Sequence, residues 1–197
     1  DNPGELGSDS DDDEAEPDRG AGRSGGGLIF DGKDDLVRVK ESSSLRLRQA
    51  VTLEAWIWWE PTSQWQPIIA RSDWPRRAFG LYLHESRLIN LSYVSAAGNV
   101  AAIQSAAGVV PARQWVHVAG TIDTVAGAMR LYVNGIEVAR GSSADSLAEA
   151  PGLPVQLGAA DAGYPASCRP FKGALDEVVI YNRALSASEV AGRWAGR

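Results

Sequence analysis

Short apolar runs recur along the chain from residue 28 onward, separated roughly every ten residues by turn-forming residues. Residues 51–59 form the longest run, and their apolar side chains alternate with period two. Such alternation places successive side chains on opposite faces of a β-strand. The rhythm predicts an all-β sandwich or barrel, with further strands at 67–71, 79–83, 88–94, 100–105, 115–122, 129–133, 136–140, 155–157 and 174–181.

Two local signals fix the ends of elements near the C-terminus. Asn134-Gly135 separates two β-prone runs, and both residue types tolerate positive φ, so we expect a two-residue type I′ hairpin. Ser186 and Glu189 have the spacing of a capping box, which predicts the start of one short helix. Val190 and Trp194 are four residues apart and would share the face that docks on the sandwich.

Residues 1–27 differ in composition from everything that follows. They contain nine acidic and two basic side chains, which gives this segment a net charge of −7. Because the whole chain has a net charge of −6, residues 28–197 have a net charge of +1. They have no aromatic residue and one large aliphatic residue, Leu6, which is too little apolar area to offset the entropy of ordering. We therefore predict a disordered acidic tether at 1–27 and one folded domain at 28–197.

The composition argues against several classes of protein. A nearly neutral domain without a basic stripe is not expected to bind nucleic acid. The sequence has no apolar stretch of about 18 residues, so we expect no membrane insertion. Cys168 is the only cysteine, which rules out an intrachain disulfide and favours a small, partly buried side chain over a reactive thiol.

Candidate metal ligands are few. His84, His117 and Cys168 are too scattered in sequence to predict a zinc site. Calcium prefers several carboxylate or carbonyl oxygens, which the acidic turn at 31–35 and Asp176 could supply if the first and last strands pair. The alternative is that these residues are turn formers and solvated charges.

Enzymatic chemistry finds little support. Glycosidases place two carboxyl groups on either side of the scissile bond, whereas Glu54 is the only acid on its strand and Asp176 and Glu177 point to opposite faces. Two histidines and one cysteine give no clear Ser-His-Asp or Cys-His arrangement. We therefore predict that the chain is not an enzyme.

Tryptophans outside the predicted core are the main candidates for ligand contacts. Trp65 and Trp74 lie in connecting segments, where an indole can stack on a sugar ring or a peptide. Arg71 lies between them and could pair with a carboxylate or sulfate, as could the neighbouring Arg76 and Arg77. Trp58 faces away from the apolar side of its strand and is a third platform. The alternative is that the loop tryptophans fold back over the core.

Five motifs in order resemble one known family. Residues 28–37 (LIFDGKDDLV) resemble the first strand of laminin-G-like and concanavalin A-like domains, and 51–57 (VTLEAWI) resemble their EAW strand. Residues 114–123 (QWVHVAGTID), 131–135 (LYVNG) and 171–186 (FKGALDEVVIYNRALS) resemble the later strands. The resemblance covers 28–194 and implies a two-sheet antiparallel jelly-roll sandwich with a short C-terminal helix.

The resemblance also carries expectations about ligands. It implies a structural calcium between the N- and C-terminal strands, with ligands at Asp31 and Asp176 and a backbone carbonyl near Gly32. A cysteine pair found in many relatives is missing, because Cys168 has no partner. Relatives bind glycans, bind proteins or cleave polysaccharides, and the catalytic carboxylate motif of the last group is absent.

We therefore expect a non-catalytic recognition module for carbohydrate or a cell-surface protein, extracellular or in the cell envelope, as part of a larger multidomain protein. Two alternatives stay open. One is an enzyme related to glycoside hydrolases or lyases with an unrecognised acid pair, and the other is a structural adhesion domain of a larger assembly. Activity lost on changing Glu54 or Asp176 would mark the enzyme, and self-association without glycan affinity would mark the adhesion domain.

Overall fold

The computed structural model describes residues 4–6, 15–62, 64–73, 76–143, 145–159 and 170–196. Trp74 and Cys168 lie outside these residues. The described part contains the strands β1 Gly4–Leu6, β2 Asp18–Ala21, β3 Gly26–Asp31, β4 Val37–Val39, β5 Ala50–Trp59, β6 Gln66–Asp73, β7 Arg76–Leu83, β8 Ile89–Val94, β9 Val100–Gln104, β10 Val116–Asp123, β11 Ala128–Val133, β12 Ile136–Ser142, β13 Val155–Leu157 and β14 Lys172–Tyr181. The helix α1, Ala187–Ala195, follows the last strand.

The strands form two antiparallel sheets of seven. The first sheet has the order β1-β4-β13-β6-β7-β8-β9, and the second has the order β12-β11-β10-β5-β14-β3-β2. Strands that are distant in sequence lie side by side in both sheets, as β14 does between β5 and β3. The predicted fold, a two-sheet antiparallel sandwich with a short C-terminal helix, is confirmed.

The inner faces of the two sheets meet in one apolar core. Leu53 and Ile57 of β5, Leu81 of β7, Leu91 of β8 and Leu131 of β11 are all fully buried there. Strand β5 is buried on its outer face as well, because α1 packs over that side of the second sheet through Val190. Part of the outer face of the second sheet is therefore buried beneath α1.

Both local signals near the C-terminus are confirmed. Asn134 and Gly135 have φ values of 49° and 75°, and they join β11 to β12 as a two-residue turn. Ser186 caps α1: its hydroxyl accepts from the amide of Glu189, while the Glu189 carboxylate accepts from the amide of Ser186. The sequence therefore determines where these elements turn and begin.

The predicted tether over residues 1–27 differs from the structure. Strand β2 pairs with β3, β1 pairs with β4, and Ala15 is buried. The turn between β2 and β3 is held by Asp176, whose Oδ2 accepts from the amide of Ser24 at 2.9 Å. Sheet pairing uses backbone groups, so a polar, glycine-rich segment can join a sheet edge without burying large apolar side chains. Residues 1–3 and 7–14 lie outside the described part.

Candidate functional site

A cleft opens at the end of the first sheet, where two cavities of about 320 Å³ and 780 Å³ adjoin and share the segment 149–151. We call it the arginine cleft. Its lining residues are Glu41, Arg46, Leu47, Arg48, Arg71, Arg76, Arg77, Val94, Gly98, Val100, Ala148, Glu149, Ala150, Pro151 and Leu153. Its size is in the range of ligand pockets in proteins, and it contains Arg71, a predicted ligand contact, so we take it as the candidate site.

Arg71 lies deep in the cleft and shapes it. The residue is 3% exposed, and its guanidinium donates to three backbone carbonyls, those of Leu45, Ala150 and Leu153. Burial lowers the pKa of Arg71, and Glu41, 3.7 Å away, acts in the opposite direction. Arg71, a predicted ligand contact, is thus a residue of the cleft floor, and its three hydrogen bonds hold the surrounding loops together.

The outer wall of the cleft carries two further arginines. Arg46 Nε lies 3.3 Å from Oε1 of Glu41, and Arg48 pairs with Glu149. These side chains are well exposed, at 68% for Arg46 and 59% for Arg48. Exposed ion pairs contribute little stability, so a ligand anion can compete for these guanidinium groups.

The sequence did not single out Arg46 or Arg48, yet a signal was present. Leu45 and Leu47 are buried while the two arginines between and after them are exposed, so the segment alternates with period two. This alternation predicts that both guanidinium groups share one exposed side. The loop at 147–153, which completes the cleft, has no comparable pattern in the sequence.

The structure separates Trp65 from the arginine cleft. Its half-buried indole packs against the His84 imidazole, with ring centroids 4.6 Å apart, at the opposite end of the β6–β7 pair. Arg71 is six residues after Trp65 along β6, which corresponds to about 20 Å of extended chain. Trp58 is half-buried on β5, opposite Ala174 in β14. The predicted aromatic platforms are therefore not gathered into one site, and Trp74 lies outside the described residues.

The predicted calcium pair Asp31 and Asp176 does not fit the structure. Strands β3 and β14 do pair, but the register places Asp31 opposite Lys172, four residues or about 13 Å from Asp176 along the strand. The two carboxylates also have separate partners: Lys33 Nζ for Asp31, and the amides of Ser24 and Glu177 for Asp176. They cannot ligate one ion in this register, and calcium binding itself stays a prediction.

Gly32, the third predicted ligand position, lies in the tight turn after β3 with a φ of 83°. Asp31, Asp34 and Asp35 surround this turn, with carboxylate oxygens within 4.8 Å of one another. Burial, together with the charges of Asp31 and Asp34, raises the pKa of Asp35, whose Oδ2 accepts from the amide of Asp31. The hydrogen bonds account for the arrangement as an acidic turn.

A buried polar cluster lies under α1 on the outer face of the second sheet. Glu54, 1% exposed, accepts hydrogen bonds at Oε1 from Tyr181 at 3.1 Å and from Arg193 Nε at 2.9 Å. His117 Nε2 is 3.8 Å from the other carboxylate oxygen, which is an ion-pair distance but too long for a hydrogen bond. Trp56 closes this side, packing edge-on against His117 and under the guanidinium of Arg23.

The Glu54 cluster is built for structure. Burial by itself raises the pKa of Glu54, but the neighbouring His117 and Arg193 side chains outweigh that effect and hold the pKa below its ordinary value. The carboxylate is therefore charged, paired and covered, so it cannot reach a substrate while α1 is in place. Asp176, the other acid considered for catalysis, is 8% exposed and accepts two backbone amides.

Comparison with known proteins places the chain in a family. Residues 31–191 match the concanavalin A-like lectin/glucanases superfamily. The chain belongs to this superfamily. A search with the whole chain found no match among curated protein sequences.

Solved structures share the fold of this concanavalin A-like domain. The binding domain of paraclostridial mosquitocidal protein 1 superposes with a TM-score of 0.73 at 15% identity, over 97% of this chain and 51% of that one. Domain 4 of AbnA, an extracellular GH43 arabinanase from Geobacillus stearothermophilus, gives 0.70 at 22% identity over 96% and 86% of the two chains. The CBM40 domain of the Ruminococcus gnavus IT-sialidase gives 0.64 at 15% identity over 85% and 95%. The chain spans about half of the toxin binding domain, and identities this low show the fold alone.

In the part of the chain that the structure describes, no helix is long and apolar enough to cross a membrane.

Proposed function

We propose that this domain is a non-catalytic, extracellular carbohydrate-binding module that holds its ligand in the arginine cleft. The observation that carries the proposal is the cleft itself, an open depression with guanidinium donors beside the apolar side chains of Leu47 and Pro151. Sugars offer both hydroxyl groups and an apolar ring face, so a site of mixed character suits them.

Structural relatives support a binding role. The CBM40 domain was solved with α2,3-sialyllactose, domain 4 of AbnA with arabinotriose, and the mosquitocidal fragment is named as a binding domain. These domains accompany larger toxins or glycoside hydrolases, which fits a module that works within a longer, exported protein. A catalytic role finds no comparable support, because Glu54 is covered and Asp176 is engaged by backbone amides.

The test is a broad glycan array followed by calorimetric titration of the best binders. We expect binding to a defined set of glycans, and no release of reducing ends when the protein is incubated with polysaccharides. Glycan hydrolysis that is lost in Glu54→Gln or Asp176→Asn would overturn the non-catalytic assignment. Binding to a cell-surface protein with no glycan affinity would overturn the ligand class.

Trp65→Ala tests the location of the site. The Trp65–His84 surface lies about 20 Å from Arg71 along β6, so this change removes an aromatic plate without touching the cleft. We expect glycan affinity to be retained. Loss of binding in a folded Trp65→Ala protein would move the site to that surface.

The extracellular location is tested separately, by locating the parent protein in culture medium and envelope fractions with an antibody.

A further inference from the structure

The arginine cleft is rich in positive charge, although the domain as a whole is almost neutral. Its charged lining consists of five arginines and two glutamates, while residues 28–197 carry a net charge of only +1. The basic groups are all guanidinium groups, which bind carboxylates in a planar, two-pronged geometry that a lysine cannot reproduce. We infer that the cleft selects glycans that carry a carboxylate, that is, an acidic sugar. This inference rests on the proposed carbohydrate-binding function.

Two guanidinium groups of the cleft, those of Arg46 and Arg77, are the most available to a ligand. Arg46 contacts Glu41 through Nε, and its side chain is 68% exposed. Arg77 is half-buried in the cleft wall and forms no ion pair with the residues that the structure describes. Even without Arg76, the lining contains four arginines and two glutamates, so the cleft retains an excess of positive charge for a ligand carboxylate.

The floor of the cleft is held in place before any ligand arrives. Glu41 Oε2 accepts from the amide of Gly152 at 2.6 Å, and this hydrogen bond holds the pKa of Glu41 below its ordinary value. The same carboxylate faces Arg46 and Arg71, and Arg71 in turn binds carbonyls at 45, 150 and 153. The segment 41–46 and the loop at 150–153 are thus tied together, so a ligand meets a site that needs little reorganisation.

The cleft also limits the size of what it recognises. The deeper cavity of about 320 Å³ suits one or two sugar rings, and the shallower cavity of about 780 Å³ beside it can follow the rest of a chain. Exposed Pro151 supplies an apolar surface for a ring face next to the guanidinium groups. The expected ligand is therefore an oligosaccharide with an acidic residue rather than a free small anion.

Isothermal titration calorimetry with paired glycans tests this inference. Trigalacturonic acid and 3′-sialyllactose serve as acidic probes, and galactotriose and lactose as their uncharged counterparts. We expect at least one acidic probe to bind about tenfold or more tightly than its counterpart, and its affinity to fall as sodium chloride is raised. Arg46→Gln and Arg77→Gln are each expected to weaken that binding about tenfold.

Arg140→Gln is the matched control. Arg140 is 74% exposed and its Nε pairs with one glutamate, Glu137, as Arg46 does with Glu41, but it lies on β12 in the other sheet. It should leave the affinity unchanged. Thermal unfolding of all three variants checks that they fold.

The outcomes separate this inference from the proposed function. Equal binding of acidic and neutral probes, or acidic binding that Arg46→Gln and Arg77→Gln leave intact, overturns the inference while carbohydrate binding stands. If neither these probes nor the glycan array yields a ligand, the proposed function fails and the inference fails with it. Charge selectivity that is lost equally in Arg140→Gln would reflect net charge and not the cleft.

Discussion

Arg193 in the last turn of α1 donates from Nε to Oε1 of Glu54 in the middle of β5, over 2.9 Å. This contact joins the C-terminal helix to the centre of the second sheet. Tyr181 donates to the same carboxylate oxygen, and the Arg193 guanidinium lies over the Tyr181 ring with 5.7 Å between them. The helix is therefore held by a buried polar contact as well as by Val190.

Removing Arg193 should destabilise the fold. Arg193→Met leaves the Glu54 carboxylate buried without its closest hydrogen-bond donor, and we expect a loss of about 1–3 kcal/mol in the free energy of unfolding, measured by urea denaturation. Arg140→Met, which breaks an exposed pair with Glu137, should cost less than about 1 kcal/mol. A double variant Glu54→Gln/Arg193→Met should recover part of the loss. Equal effects of the two single arginine changes would contradict a special role for the buried contact.

Arg71 should matter for stability far more than its neighbour Arg46. Arg71→Met leaves the carbonyls of Leu45, Ala150 and Leu153 without their donor, and we expect a loss of about 2–5 kcal/mol by urea denaturation. Arg46→Met removes only an exposed pair and should change the free energy of unfolding by less than about 1 kcal/mol. An Arg71 variant as stable as the Arg46 variant would show that water replaces the three hydrogen bonds.

Arg71 also shows what could and could not be predicted from the sequence. Strand periodicity predicted nearly every core strand because alternation along β5 is a local property. The positions of arginine side chains depend on contacts between residues up to 82 apart in sequence, which no local pattern encodes. The polar strands β1 and β2 were missed for a related reason, since backbone pairing leaves no apolar signature.

The predicted pairing of Asp31 with Asp176 as calcium ligands differs from the structure because of the strand register. Pairing of the first and last strands was foreseeable, but the offset that sets Asp31 against Lys172 depends on how β14 is held by β5, including an irregularity between Asp176 and Val179. A single residue of slip changes which side chains meet. The family motifs therefore predicted that β3 and β14 pair, but they did not predict that Asp31 lies opposite Lys172.

Gly158 should resist substitution because of its neighbour as well as its backbone. Its φ is 78°, and an added Cβ would lie 2.2 Å from the ring of buried Phe30. Gly152 has a similar φ of 74° but no atom within 4 Å of that position. Gly152→Ala should therefore cost only the backbone strain of about 1–2 kcal/mol, and Gly158→Ala about 1–3 kcal/mol more, as measured by chemical denaturation. Equal costs would show that Phe30 moves aside freely.

The cap of α1 should give the protein a measurable acid sensitivity. The Arg183 guanidinium, with the Ser186 amide and hydroxyl, lowers the pKa of Glu189 from 4.5 to about 2. A carboxyl whose pKa is lower in the folded state stabilises the fold above its unfolded pKa, and this contribution is lost as the pH falls from about 4.5 toward about 2. Glu189→Gln should therefore be less stable than the wild type at pH 6, and the difference should shrink steadily as the pH approaches 2.

Thermal unfolding across this pH range measures the difference in stability, with Glu85→Gln in an exposed turn as the control for a lost charge. A difference between wild type and Glu189→Gln that stays constant from pH 6 to pH 2.5 would mean that the carboxylate does not contribute through its charge, and that the cap acts through its neutral hydrogen bonds alone.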